Sequence, residues 1–205
     1  MKQKETYAFF DFDGTITDAD TFKLFGIFVS GQTRFLSCVL KTMPWIMAWK
    51  AGIISNSKAK EKLFSALYRG LSYNEFRDAG ERFADIIDCH LIPATMQRLR
   101  RHIADGHRVA IVSASMEEWI KPWASRNGID TVLATAPQAD DAGRITGRFL
   151  SPNCHGKEKV NRITRHFGPL SDADIYAYGD SSGDTPMWGI ANHPFKVINN
   201  EIRNL

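Results

Sequence analysis

Asp11-Phe12-Asp13-Gly14-Thr15 places two carboxylates two residues apart, directly after the apolar run Tyr7 to Phe10. Leaving a strand at i and i+2, both carboxylates emerge on the same side and repel each other unless a cation offsets them. The pattern reads either as an Asp-Gly surface turn or as a nucleophile and a general acid/base beside a Mg²⁺ site. Gly179-Asp180-Ser181-Ser182-Gly183-Asp184 repeats the arrangement after a second apolar run, Ile175 to Tyr178. There, Asp180 and Asp184 can complete an oxygen-ligand sphere that Asp11 begins. The alternative is a turn with Asp184 as a helix N-cap.

Two further positions could act on an anion. Ser113 ends the apolar run Arg108 to Ser113 just before a helix that Ser115 and Glu118 are placed to cap, so its hydroxyl and the nearby N–H groups could hold phosphoryl oxygens. A simple capping role is the other reading. Lys157 opens a helix after Asn153-Cys154-His155-Gly156, where a cation is mildly unfavourable, and that favours a function over a solvated surface charge.

The elements that must position these residues follow from periodicity. Strands are expected at Tyr7 to Phe10, Arg108 to Ser113, Thr131 to Thr135, Ile175 to Tyr178 and Phe195 to Ile198. Helices closed by Gly106, Gly128 and Gly168 alternate with them, which predicts an α/β layer fold with a mostly parallel sheet. Residues 19–90 break the alternation with four helical stretches, the last opened by the expected capping box Ser72 and Glu75. This segment reads as a helical-bundle cap inserted into a core made of residues 1–18 and 91–205. It holds ten basic and seven acidic residues.

Composition narrows the function classes. The 205 residues are 43% hydrophobic and 24% charged, and Lys+Arg exceed Asp+Glu by only 26 to 23, which sets aside disorder and a dedicated nucleic-acid binder. Cys38, Cys89 and Cys154 form no CxxC and are odd in number, so a disulfide scaffold is not expected and a reducing cytoplasm is. The start MKQKET leaves no room for an apolar signal core, and an uncharged stretch such as Leu24 to Thr33 is far short of a membrane span. Gly156-Lys157 is followed by Glu158 rather than Ser or Thr, and no HExxH occurs, so neither a phosphate-binding P-loop nor a zinc protease is indicated.

FFDFDGTIT, VSAS, GKEKV and YGDSSGDTPM, in this order from Phe9 to Met187, resemble the four motifs of the haloacid dehalogenase superfamily. The helical insertion after the first motif resembles the phosphoserine phosphatase-like branch. This resemblance implies a Rossmann-like parallel core and a two-step phosphomonoester hydrolysis. Asp11 would be the nucleophile, and Asp13 would protonate the leaving oxygen and then activate water. Asp11, Asp180 and the Asp13 backbone carbonyl would hold Mg²⁺. Ser113 and Lys157 would take the phosphoryl charge, with Thr15, Ala114, Asp20 and Asp184 as substrate contacts. Asp13 also argues against dehalogenation, because dehalogenases resemble the pattern but lack that second acid.

The expected substrate is a small phosphorylated metabolite. Asp20 stands where phosphoserine phosphatases place a glutamate, their first and fourth motifs usually read DxDST and GDGxND, and their cap arginine has no counterpart that the sequence identifies. A lipid-phosphate (phosphatidylglycerophosphate-like) phosphatase is the alternative. It draws on Phe35 to Ile54, which is apolar nearly all round and carries Trp45, Trp49, Lys41 and Lys50 next to Arg34. That stretch reads either as a core helix kinked at Pro44 or as a segment in contact with a membrane surface. A phospho-receiver that binds without turnover and a phosphoryl transferase are the remaining alternatives.

Overall fold

The computed structural model describes residues 4–205. Its main sheet has six strands in the order β3-β2-β1-β6-β7-β8: β1 (Thr6–Phe10), β2 (Arg108–Met116), β3 (Thr131–Thr135), β6 (Asp174–Gly179), β7 (His193–Ile198) and β8 (Glu201–Asn204). The first five strands in that row run parallel, and β8 pairs antiparallel with β7. Helices cover both faces, so the central strands are apolar on both sides. Tyr7 and Phe9 of β1 face one apolar cluster and Ala8 and Phe10 the other.

Helices α5 (Pro93–Ala104) and α6 (Glu117–Arg126) lie on the face with Phe10, and α7 (Lys157–Phe167) and α8 (Thr185–Trp188) on the opposite face. The chain leaves β1 toward β2 and returns on the other side through β6. That reversal opens a crevice at the carboxyl ends of β1 and β6, where ligands of open α/β sheets bind.

Four helices occupy the span between β1 and α5: α1 (Thr21–Ser30), α2 (Gln32–Lys50), α3 (Asn56–Tyr68) and α4 (Tyr73–Ile87). Pro44 lies inside α2, which continues through it. The larger apolar cluster is continuous from α1 and α4 into α6: the Phe25 and Trp119 rings lie 4.4 Å apart between centroids, and a side chain at Gly80 of α4 would collide with the Glu118 backbone.

Two capping expectations are corrected. Met116, not Ser115, is the N-cap of α6, and the Ser115 hydroxyl is committed to Asp13. Ser72 does cap α4 by position, but its side chain makes no capping hydrogen bond. A two-stranded antiparallel hairpin, β4 (Pro137–Ala139) and β5 (Ile145–Phe149), was not expected from the sequence. It packs on the α3–α4 connection: Gly70 N–H donates to the Ile145 carbonyl at 2.8 Å, and Ile145 N–H to the Leu71 carbonyl at 2.9 Å.

Candidate active site

Asp11 continues β1 by donating its N–H to the Tyr178 carbonyl at 2.9 Å, which fixes its carboxylate at the crevice. Lys159 Nζ lies 2.8 Å from Asp11 Oδ1 and 2.5 Å from Asp184 Oδ1, and all three side chains are nearly or wholly buried. Burial disfavours the lysine's charge, but Asp11 and Asp184 outweigh it and hold the ammonium above the usual lysine range. On Asp11, burial pushes the carboxyl up while Lys159 pulls it down, leaving a net rise. Both shifts are upward, so the lysine's favours the ion pair and the aspartate's opposes it. We read the pair as carboxylate and ammonium, because the lysine proton has two acceptors within 2.8 Å and a buried, unpaired Asp184 would cost several kcal/mol.

The expected lysine, Lys157, is therefore corrected to Lys159. Lys157 is the first residue of α7 and exposed. Two helical residues further on is a rotation of about 200°, which carries Lys159 to the face that packs on the sheet. Its position four residues before buried Ile163 is the signal that could have found it.

Asp13 sits apart from this charge network. Its Oδ1 accepts from Thr21 Oγ1 at 2.6 Å and Thr21 N–H at 3.2 Å, and its Oδ2 accepts from Ser115 Oγ at 2.5 Å. Burial, then the nearby Asp20 carboxylate, raises its pKa, while Ser115 and Thr21 restrain the rise. Two carboxylates thus share one cavity in unlike surroundings: one against an ammonium, the other against neutral donors.

The cavity, about 360 Å³, is lined by Asp11, Asp13, Asp20, Ser113, Ala114 and Asp180 of the expected residues, with Lys159, Lys60 and His155. Thr15 and Asp184 do not line it. Thr15 is fully buried in the turn after Asp13. Asp184 is fully buried too, and its oxygens are taken by Lys159 and by the N–H groups of Asp180 and Ser181, both at 3.1 Å. It holds the loop that presents Asp180 and is not placed to touch substrate. Asp20 caps α1, accepting from Lys23 N–H at 3.0 Å. The Ser113 hydroxyl accepts from Ser115 N–H at 3.1 Å, across the irregularity that breaks the β2–β3 register.

Lys60 of α3 had no recognisable signal in the sequence. Its ammonium donates to the Ala114 carbonyl at 2.9 Å and sits 4.6 Å above the Phe22 ring. Burial lowers its pKa, and Asp13 and Asp20 resist that shift.

One oxygen from each of Asp11, Asp180 and Asp184 lies within 4.8 Å of the others. Three carboxylates against one lysine leave surplus negative charge, and an all-oxygen donor set suits Mg²⁺. Burial and the Asp184 charge raise the Asp180 pKa, the direction expected of a carboxylate short of a counter-ion. Glycine is required at the approach: Gly14 has φ +72°, and a Cβ there would lie 2.5 Å from Asp180 Oδ2. The residues fit the ion. Asp13 has its carboxylate committed to Thr21 and Ser115, so only its backbone carbonyl is free to join them.

This sheet, with an Asp-x-Asp turn at the end of its central strand and a buried lysine facing it, defines a class. The chain belongs to the haloacid dehalogenase-like hydrolase family, whose profile matches residues 8–188. Protein CicA of Caulobacter vibrioides is 33% identical over 187 residues, covering 89% of this chain and 82% of that protein. A Bordetella pertussis Tohama I protein of unknown function has the same fold, with a TM-score of 0.78, 24% identity, and coverage of 94% of this chain and 89% of that one. A phosphoserine phosphatase solved as a phospho-aspartyl intermediate analogue has a TM-score of 0.62 at 21% identity, over 94% of this chain and 86% of that one.

Proposed function

We propose that this chain is a Mg²⁺-dependent phosphomonoester hydrolase that works through an aspartyl-phosphate on Asp11, acting on a phosphorylated small molecule. The observation that carries this reading is the unlike surroundings of two carboxylates in one cavity: Asp11 lies 2.8 Å from the Lys159 ammonium, and Asp13 accepts from the neutral hydroxyls of Thr21 and Ser115. A nucleophile must be ionised and a general acid must carry a proton, and environments that separate two carboxyl groups assign those roles.

In the first step an Asp11 oxygen forms a bond to phosphorus, the phosphorus–oxygen bond to the leaving group breaks, and the departing oxygen takes the Asp13 proton. In the second, Asp13 removes a proton from water, whose oxygen attacks phosphorus. The Asp11–phosphorus bond breaks, and inorganic phosphate leaves with both aspartates restored. Lys159 and the Ser113 hydroxyl are placed to meet phosphoryl charge, the Ala114 backbone lines the same cavity, and Asp180 and Asp11 would hold the ion. When bound, Mg²⁺ supplies positive charge against the phosphoryl oxygens.

Residues 19–90 we read as the cap, contributing Lys60 over the cavity mouth. Asp20 is engaged as a helix cap and no arginine lines the cavity, so the supports for phosphoserine itself are weak. The reading of a receiver without turnover is disfavoured by Asp13, since a stable aspartyl-phosphate needs no second acid.

The test is phosphate release from p-nitrophenyl phosphate, phosphoserine and sugar phosphates, with and without Mg²⁺. We expect Mg²⁺-dependent turnover. A folded protein that releases no phosphate from any ester and is not trapped by beryllium fluoride overturns the reading.

A further inference from the structure

A second cavity of about 310 Å³ adjoins the first and shares Asp20, Lys60, Ala114 and His155 with it. Its own walls are mostly apolar: Phe22 of α1, Ala59 and Leu63 of α3, and Ile46 and Trp49 of α2, with Asn56 the one polar side chain among them. A phosphomonoester seated at Asp11 would thread its leaving group past Lys60 into this space. Beyond the shared residues, the one polar side chain that an amino acid or a sugar would meet there is Asn56, so most of its desolvation would go uncompensated.

Helix α2 forms the outer wall of that cavity, and its other side is unpartnered. Of the large apolar side chains that are exposed among the described residues, eight of ten lie between Phe28 and Ile53, with Leu40 at 67%, Met47 at 63% and Ile53 at 76%. Clusters of this kind mark interaction surfaces. Charge decides the partner. From Thr21 to Lys58 the chain carries five Lys or Arg and no Asp or Glu. A second copy of this face would bring the same positive charge against itself, whereas an anionic bilayer complements both the charge and the apolar ridge. No helix among the described residues is long and apolar enough to cross a membrane, so α2 would lie along the surface.

We propose that the site takes a phosphomonoester whose leaving group carries a hydrocarbon chain, drawn from an anionic lipid surface on which α2 rests. The proposal rests on the phosphatase reading for the chemistry, but binding alone can test it. Calorimetric titration of the full chain with n-alkylphosphonates of two, four, six and eight carbons uses ligands that have no ester to cleave. The expected result is a Kd that falls by roughly threefold to fourfold per methylene until the cavity is filled; a flat series overturns the chain site. Ile46→Asp should flatten the series, with the melting temperature as a check on its fold, and an unchanged slope in that folded variant overturns the assignment to this cavity.

The surface is tested by co-sedimentation with phosphatidylglycerol-containing vesicles. We expect binding that weakens at about 0.5 M salt and is lost in Leu40→Glu/Met47→Glu, while p-nitrophenyl phosphate hydrolysis by that variant stays at the unmodified rate. No vesicle binding by the unmodified chain overturns the docking, as does a dimer in solution that the same double variant dissolves. Hydrolysis of p-nitrophenyl phosphate with a flat phosphonate series sinks this proposal alone. A rising series without any hydrolysis sinks the phosphatase reading and leaves the binding site standing.

Discussion

The two ends of the cleft are built on opposite terms. At the deep end, Asp11, Lys159 and Asp184 are nearly or wholly buried and each answers another at 2.8 Å or less. At the outer end the wall is α2, on whose far side Leu36, Leu40 and Met47 stand more than half exposed, and the cations of that helix meet no acid on it. A buried network tolerates almost no change, because removing one charge strands the next. The apolar rim carries no such constraint, since surface side chains mostly exchange at small cost. The contrast teaches where the reaction is fixed and where the choice of ester can drift.

The largest effect should come from Asp11→Asn, which removes the nucleophile while preserving shape. Turnover should fall by at least about 10⁴-fold with an unchanged circular dichroism spectrum, and retained activity would mean that the deep end is only a binding pocket. Asp13→Asn should slow both steps by about 10²–10⁴-fold, read as slower formation and slower hydrolysis of the phosphorylated enzyme in single-turnover experiments.

Lys159→Met sharpens the comparison from the stability side. It leaves two buried carboxylates without their partner, so about 3–5 kcal/mol of stability should be lost in denaturant titrations without divalent ions. Lys157→Ala, two residues away and exposed, should stay within about 0.5 kcal/mol. Equal effects from the two lysines would erase the distinction between buried network and open surface. At the junction of the two cavities, Lys60→Met should lower kcat/KM by about tenfold to a hundredfold, the usual worth of a charged hydrogen bond.

A further effect, readable through its pH dependence, lies away from the cleft, at the seam between α4 and α6. Glu118 is buried, its Oε2 finds no hydrogen-bond partner, and burial pushes its pKa up to about 8 from an ordinary value of 4.5. Folding therefore favours the protonated acid. That contribution is complete below about pH 4.5 and disappears as pH rises to about 8. Glu118→Gln should melt at the same temperature as the unmodified chain near pH 4 and a few degrees higher near pH 9. A difference that does not vary with pH would place the side chain in water.

Much of the deep end was legible because its constraints are local. Asp11, Asp13 and Asp180 follow apolar strands, so their direction is set by the strand that precedes them, and the glycines beside them mark turns. What was misread depended on longer-range packing. GKEKV offers two lysines, and only the docking of α7 on the sheet selects Lys159. Ser115 looked like a helix cap from spacing alone, whereas Asp13, about a hundred residues earlier, claims its hydroxyl. Lys60 sits in an ordinary Lys- and Glu-rich helix, and nothing short of the folded α3 places it over the cavity. Strands β4 and β5 are three and five residues long around Asp140-Asp141-Ala142-Gly143, too short for alternation to register against the turn.

That hairpin bears on the order in which the molecule can be made. Helices α3 and α4 leave the ribosome early, yet the backbone groups of Gly70, Leu71 and Tyr73 between them are satisfied by Gly143 and Ile145, and Phe64 by the ring of Phe149 at 5.2 Å. Some seventy residues of nascent chain separate the two sides of this contact. The inserted helices are contiguous in translation but not self-sufficient, and their last edge closes only once β3 and the hairpin behind it have been synthesised. Formation of this edge therefore waits for the hairpin to emerge, with the slow kinetics that distant contacts impose.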